Sequence, residues 1–582
     1  MQLFLVLVVL LFSATQAQIF TVAPPTGDPV KDLAAIENTL SLGQQWQTNN
    51  TFNGIIPQVE IVLSSGTYSL CPSNGTCINI NNWTNLIFRG DIIGSGTTIN
   101  LLGPNTGYIT VSVGNSVTVS DLTFDMQILP WTQGLIVGTN QTKEGALAFV
   151  DVQIESGYLS FNDSFIAYAV ATGSGFFQVM DPVFPRVKKN VPSYFYLAPS
   201  PAPFLLPDGK TWRLTFGHGP PYWGWTNSTP LIVAGTDRFA FVTRFGNTGI
   251  YFDKSTNVAA IDLTFYACGS VVTVASESAG PIVYDRFNVL IKPGTNRLVS
   301  STGGAGNLQN NRGSISVTNS VYQGMADDGW AFASVILNIS AIYSMGGNGV
   351  IQIHSPRRIL VGDQLQILDG SNGRIRGLQI VTAITPSTCS LFPGQHCNIT
   401  LDFVPIGTVV GDPTYIFNAA GSPVLVANNT FMSHRGHGIL LNCPNSLVIN
   451  NNFSDLTLAG VEVGPVFAGF GIGPVPSNAT VQDNTFIGGS VEEGILIDNT
   501  WWSAPLLGNN PQIIVTSVLY NSSDPIQQIT AATGPSDVTI IGNQIFQPAT
   551  LSIEVDIGSR ISIANNTVTL DPSIPRIPGP AV

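Results

Sequence analysis

Two aspartates stand side by side in the stretch GMADDGWAF (324–332), Asp327 and Asp328, followed by Gly329 and Trp330. Sugar-bond hydrolysis generally needs two carboxyl groups, one to give a proton and one to activate water or attack carbon. Adjacent like charges raise one pKa, which suits a proton donor at mild pH. Neighbouring strand residues point to opposite faces, so both carboxylates reach one pocket only if the Gly-flanked segment turns. Trp330 would then offer an apolar face to a sugar ring. The plainer alternative is a pair that caps a turn. A second group lies in SHRGHGILL (433–441), where Arg435 and His437 sit among Gly436 and Gly438. Arg435 would hold a hydroxyl or a carboxylate. His437 would move a proton, or serve the turn structurally. Asp285, Asp455, Glu462, Glu492, Glu493 and Asp498 are further acids without an evident grouping. No zinc-ligand spacing, phosphate loop, dinucleotide fingerprint or nucleophile elbow occurs, so no metal and no cofactor is expected.

These residues must be positioned by a repeating element. The phrases VLVANNTF (424–431), SLVINNNF (446–453), ATVQDNTF (479–486), VTIIGNQIF (538–546) and ISIANNTV (561–568) share one frame, and ISVTNSVY (315–322) fits it. Asn429 and Asn451 are 22 residues apart, and Asn543 and Asn566 are 23 apart. Such periods mark stacked repeats. Alternating β-branched residues make a short strand with one buried face. The following Asn suits a turn and can stack into a ladder from coil to coil. The fold expected is all-β: a right-handed parallel β-helix, a solenoid whose coils bury their inward side chains against their neighbours. Looser copies are VTVSDLTF (117–124), LAFVDVQI (147–154) and VAAIDLTF (258–265). A propeller would need blades of about 40–50 residues with aromatic markers, which do not appear. The rhythm breaks twice. Residues 178–245, with PPYWGW (220–225), read as an excursion. Residues 335–415 read as an inserted small β-barrel or sandwich. The division expected is therefore a signal peptide at 1–17, coils over 18–334, the insertion, and coils again over 416–582.

Composition narrows the function. Asp and Glu number 35 against 22 Lys and Arg, the net charge is −13, and only 10% of residues are charged. A nucleic-acid partner is thereby disfavoured, since it needs a basic surface. Neutral glycans fit better than polyanions such as pectate. The opening MQLFLVLVVLLFSATQA reads as a signal peptide cleaved after Ala17. No later run is long enough to span a bilayer, so a secreted, extracellular protein is expected. Thirteen Asn-x-Ser/Thr sequons agree with that route. Among the six cysteines, Cys71 with Cys77 and Cys389 with Cys397 each bracket a short loop and are expected as disulfides. Cys268 and Cys443 are expected as buried thiols.

The run RLVSSTGGAGNLQNNRGSISVTNSVYQGMADDGWAF (297–332) resembles the central part of glycoside hydrolase family 110, the α-1,3-galactosidases of blood-group-B type. Members are parallel β-helices with an Asp-Asp pair after an Arg-Gly-containing strand and a small barrel directly afterwards. Here Arg312-Gly313 precede Asp327-Asp328, and SHRGHGILLNCPNSLVINNNFSDL (433–456) resembles a later coil of that family. The likeness covers roughly residues 245–460. It implies an inverting α-galactosidase using the aspartate pair. This chain departs from the pattern where the family has a third Asp, which aligns with Gly304, and a His, which aligns with Asn307. Loss of activity, a changed substrate or service by Asp285 would follow. A weaker resemblance links Asp327-Asp328 and Gly436-His437-Gly438 to polygalacturonases, whose Asn-Thr-Asp and Arg-x-Lys motifs are absent. Two functions are carried forward: a hydrolase of α-galactosides or related neutral glycans, with Asp327 and Asp328 catalytic and Trp330, Arg435 and His437 binding sugar; or an inactive extracellular β-helix that binds glycans or serves a structural surface.

Overall fold

The computed structural model describes residues 17–569 apart from 72–74, 94–95, 142–146, 190, 192–193, 199, 217–231, 245, 356–357, 371–374, 387–394, 465–470, 489–512, 516–535, 547–552 and 556–559. The expected signal segment up to residue 16, PPYWGW, Glu492, Glu493 and Asp498 lie outside the described residues.

The chain winds as a parallel β-helix. Each repeat phrase lies on its neighbour without slippage: Ile315–Thr318 on Val424–Ala427, then Ser446–Ile449, then Ala479–Gln482, then Val538–Ile541. Inward residues of these strands are fully buried, including Val426, Val448, Val481 and Ile540. The aromatic that ends each phrase stacks on the next. Tyr322, Phe431, Phe453 and Phe486 form a column with ring centroids 4.9, 4.9 and 4.8 Å apart. That distance is the strand spacing of a sheet, so one aromatic per coil fills the interior continuously.

The expected asparagine ladder is present. Asn429 donates from Nδ2 to Asn451 Oδ1 at 3.0 Å, Asn451 to Asn484 at 3.0 Å, Asn484 to Asn543 at 3.1 Å and Asn543 to Asn566 at 2.9 Å. Each Oδ1 also accepts the backbone N–H of the preceding rung. The left-handed backbone falls one residue earlier than the ladder, at Asn428, Asn450, Asp483, Gly542 and Asn565. Asn451→Ala would leave the Asn429 backbone N–H without its partner in the interior and would remove one acceptor from the Asn429 side-chain amide. We expect it to lower the unfolding free energy by about 3 kcal/mol in urea titration. Asn566→Ala, on a half-buried rung, is expected to cost less; equal losses would show that burial does not set the ladder's worth.

Two long parallel sheets run the length of the solenoid. One contains the repeat phrases. The second contains Ile250–Asp253, Thr273–Ser276, Gly306–Gln309, Trp330–Val335, Ile439–Leu441 and Val461–Val463 in successive pairing. A helix over Pro29–Asn50, outside the elements expected from the repeats, lies against the first coil. Asp28 caps it, and Ile36 and Leu40 are buried on its inner face.

The two interruptions of the rhythm are separate β units. The first is a six-stranded antiparallel sheet running from Trp131–Gln141 to Arg238–Thr243, with a helix at Ser164–Thr172. It begins well before residue 178, the start expected from composition. The segment LAFVDVQI, read as a coil, pairs antiparallel with Trp131–Gln141 inside it. Alternation of period two is common to parallel and antiparallel strands, so pattern does not separate them. The coils on either side close over the gap: Val117 lies against Val258 and Phe124 against Phe265. The second unit is a closed six-stranded barrel from Leu337–Ser344 to Pro413–Ile416, near the expected limits. Cys71 and Cys77 are disulfide-bonded. Cys397 is also disulfide-bonded, and Cys389 lies outside the described residues. Cys268 and Cys443 are free and buried.

Candidate functional site

Asp327 and Asp328 occupy the corner between the strand Val321–Gln323 of one sheet and Trp330–Val335 of the other. The same corner one coil later is Ser433 to Gly438, and the two stack. Gly329 donates to the His437 carbonyl at 2.7 Å, and Trp330 to the Gly438 carbonyl at 3.0 Å. Gly436 makes that approach possible. Its φ is +97°, and a Cβ there would sit 2.4 Å from Asp328 Oδ1. Coil stacking thus joins the two motifs that are more than a hundred residues apart in sequence.

Arg435 donates to Asp327 Oδ1 at 2.7 Å. The other oxygen of Asp327 is ion-paired with Arg244, which follows the last strand of the antiparallel sheet. That sheet contributes aromatic faces as well. The Arg435 guanidinium lies 4.6 Å from the Tyr194 ring and 5.6 Å from Phe176, and Arg244 lies 5.3 Å from Phe176. Burial, together with the like charge of Arg435, lowers the Arg244 pKa to about 10. Arg186 and Lys189 of the same unit reach Asp455 at 2.8 and 3.1 Å, tying the unit to a later coil.

Asp328 Oδ1 accepts two bonds from His437, the backbone N–H at 2.7 Å and the ring Nδ1 at 3.0 Å. On the far side of the ring, Nε2 lies 2.8 Å from Glu462 Oε2. Both ring nitrogens face carboxylates, so both carry protons. Burial works against the imidazolium, but Glu462 and Asp328 outweigh it and raise the His437 pKa to about 10. Burial would raise the Asp328 pKa too; the His437 ring, its charge and Arg435 instead hold it well below the usual carboxylate range. His434, fully enclosed, is lowered to about 4 by burial and is neutral.

Two expectations change. Asp328 does not supply a raised pKa, because His437 and Arg435 match its carboxylate. Trp330 does not face a ligand. It is fully buried between Tyr284 at 4.8 Å, Tyr322 at 5.8 Å and Phe332 at 6.0 Å, with Gly306 against its ring. The first residue of the strand points inward, as the inward position at that register does on every coil. Asp327 and Asp328 themselves stay partly open, with side chains 24% and 29% exposed. Asp285 stays away from the cluster, holding Arg286, Thr318 and Asn319 on the other sheet. Glu462, one of the unranked acids, belongs to the site. The 22-residue period pairs it with Leu440, and that period was the available signal. Arg244 and Tyr194 carried no sequence signal.

Gly304 stacks directly under Asp328, one coil earlier. A Cβ on it would meet the Asp328 carbonyl oxygen at 2.1 Å. The position that would take a third carboxylate by resemblance is therefore closed to any side chain here. Asn307, the other departure, lies beside Ala331 on the outward side of the second sheet.

The fold and this cluster define a parallel β-helix with a charge-paired corner overhung by an antiparallel sheet. No family model and no curated protein matches the chain. Among solved structures it is similar to a mannuronan C-5 epimerase A-module from Azotobacter vinelandii, at 9% identity and a TM-score of 0.32, covering 94% of each chain. It is also similar to a surface adhesin of Streptococcus pneumoniae, at 11% identity and a TM-score of 0.37, covering 95% of this chain and 90% of that one. A family 28 exopolygalacturonase from Yersinia enterocolitica aligns at 11% identity and a TM-score of 0.34, covering 96% and 79%.

Proposed function

We propose that the protein is a secreted β-helix that binds neutral glycans, and that a sugar docks at the Asp327–Asp328 corner beneath the antiparallel sheet. The charge balance of the cluster carries this reading. Asp327, Asp328 and Glu462 are matched by Arg244, Arg435 and His437. A site with no net charge but many fixed donors and acceptors suits hydroxyl groups, which both give and take hydrogen bonds. Tyr194 and the exposed Tyr196 add aromatic surface beside it. A polyanionic ligand would meet the field of a chain with net charge −13.

Hydrolysis is the second reading, and Asp328 favours it. It is ionised, oriented through His437 and Glu462, and both of its bonds fall on Oδ1. Such a group suits a general base that activates water. An inverting hydrolase of the type the sequence resembles also needs a protonated carboxyl to serve the leaving oxygen. Asp327, held by two guanidinium groups, does not fit that role, and Gly304 adds no third carboxylate. Binding is therefore the reading the geometry favours.

The test runs the secreted protein against α- and β-galactosides and pectic oligomers, with calorimetric titration beside NMR of any product anomer. The expected result is binding of a neutral galactoside without turnover, weakened about tenfold in Asp328→Asn by loss of a charge-assisted bond. Turnover with inversion, abolished in Asp327→Asn and Asp328→Asn, would establish the hydrolase instead. Absence of binding by every sugar would overturn both readings.

A further inference from the structure

Histidine is scarce in this chain, with 5 in 582 residues. Two of those that the structure describes, His434 and His437, belong to the corner. Two others meet on the barrel. His354 lies on the strand Val350–Ser355 and His396 on Gln395–Leu401, and they stand directly opposite each other in antiparallel register. Their neighbours Ile353 and Cys397 are also opposite one another and are buried in the barrel core. Side chains alternate along a strand, so both histidines stand on the outer face, and both are exposed. Their ring centroids are 4.9 Å apart, with the rings tilted by 50°.

Burial contributes little to holding two polar rings together on an exposed sheet face. Imidazole is, however, the commonest side-chain ligand of transition metals. A metal stands about 2.0–2.1 Å from a coordinating ring nitrogen, and therefore about 3.2 Å from the ring centroid. Two rings on one ion, at ligand angles of about 90–110°, have centroids about 4.5–5.2 Å apart. The observed pair falls inside that window. A turn about χ2, a soft torsion in histidine, points one nitrogen of each ring at a shared ion. His396 Nδ1 contacts Ser340 Oγ at 3.4 Å, which orients the ring and leaves Nε2 as the ligand. Asn338 lies opposite His354 on the next strand, so the row Asn338, His354 and His396 crosses three strands of a closed barrel. Ligands on paired strands are held in place before an ion arrives. No group of three or more His, Cys, Asp or Glu side chains gathers here among the described residues, so the protein supplies two ligands and water completes the shell.

We propose that His354 and His396 form a surface site for one divalent transition-metal ion of the class that favours imidazole, which includes Cu²⁺, Ni²⁺ and Zn²⁺. The site is separate from the corner and does not depend on the sugar-binding reading. Affinity is expected to follow the general order for nitrogen ligands, with Cu²⁺ tightest. Ca²⁺ and Mg²⁺ take oxygen ligands and are expected not to bind there. The corner does not compete, because His434 is enclosed and both ring nitrogens of His437 face carboxylates. His354 and His396 are 42 residues apart in sequence, beyond any short metal-ligand spacing, so closure of the barrel is what brings them together.

The test is calorimetric titration of the whole protein with Cu²⁺, Ni²⁺, Zn²⁺ and Ca²⁺, with electron paramagnetic resonance of the Cu²⁺ complex at one equivalent. The expected result is one tightly held Cu²⁺ per chain, with a spectrum that reports two coordinated nitrogens. His354→Gln and His396→Gln are each expected to weaken Cu²⁺ binding at least about tenfold. Both side chains are exposed, so the metal-free unfolding temperature should stay as in wild type. Cu²⁺ is expected to raise the unfolding temperature of the wild type and of neither variant. A wild-type spectrum without two nitrogens, or unchanged Cu²⁺ affinity in either variant, would overturn the site. The wild-type spectrum needs no substitution, so it decides by itself where a variant fails to fold.

Discussion

Replacing Glu462 with Gln is expected to cost about 3 kcal/mol of stability at pH 6, and the loss is expected to shrink as the pH rises toward 10. The cost is that of leaving a buried cation without one of its two partners. Glu462 is 5% exposed and stands 2.8 Å from His437 Nε2. The pH dependence follows from linkage. The folded-state pKa of His437, about 10, lies above its ordinary 6.5. The stability this supplies is complete below pH 6.5 and is lost as pH rises through about 10. Asp328 acts in the opposite sense. Its folded pKa lies below the ordinary 3.8, so its contribution is present above that value and is lost as pH falls toward the folded pKa. The cluster should therefore be most stabilising between about pH 4 and 6.5. In Glu462→Gln the imidazolium is less favoured, so wild type and variant converge once both are neutral. Unfolding temperatures of the two proteins from pH 4 to 10.5 measure this. A gap that stays constant up to pH 10.5 would mean that His437 is neutral in the native protein.

Trp330→Ala is expected to lower the unfolding free energy by about 3–5 kcal/mol, as loss of a fully buried indole does elsewhere. The ring has three aromatic neighbours within 6.0 Å and lies against Gly306, which has no side chain to move into the space. The cavity would persist. Trp330→Phe, which keeps an aromatic ring beside Tyr284, Tyr322 and Phe332, should lose much less. Urea unfolding of both variants, with glycan titration alongside, gives the answer. A Trp330→Ala protein of normal stability that had lost only sugar affinity would restore the ligand-facing role inferred from its position beside the aspartates.

Much of this molecule is legible without coordinates. The Asn–aromatic phrase recurs at the length of a coil, and a residue that must meet its own equivalent one coil away is constrained at every repeat. Asn429, Asn451, Asn484, Asn543 and Asn566 were placed in one ladder by spacing, and they bond as one. The barrel was also legible, because its turn-rich short strands interrupt a regular period. The antiparallel sheet was only half visible, since Leu147–Ile154 alternates as a coil strand would.

The corner site divides along the same line. Residue type and a glycine-flanked setting marked Asp327, Asp328, Arg435 and His437, but the two motifs are separated in sequence by the barrel insertion and meet only through the stacking of their coils. Tertiary structure alone decided what each group became. It turned Trp330 inward, brought Arg244 from an insertion that obeys no repeat, and closed the space beside Gly304. It also placed His437 between two carboxylates. Identity and periodicity are local properties that a chain carries in its order. Charge state, exposure and partner choice depend on the groups that distant segments deliver to the same few ångströms.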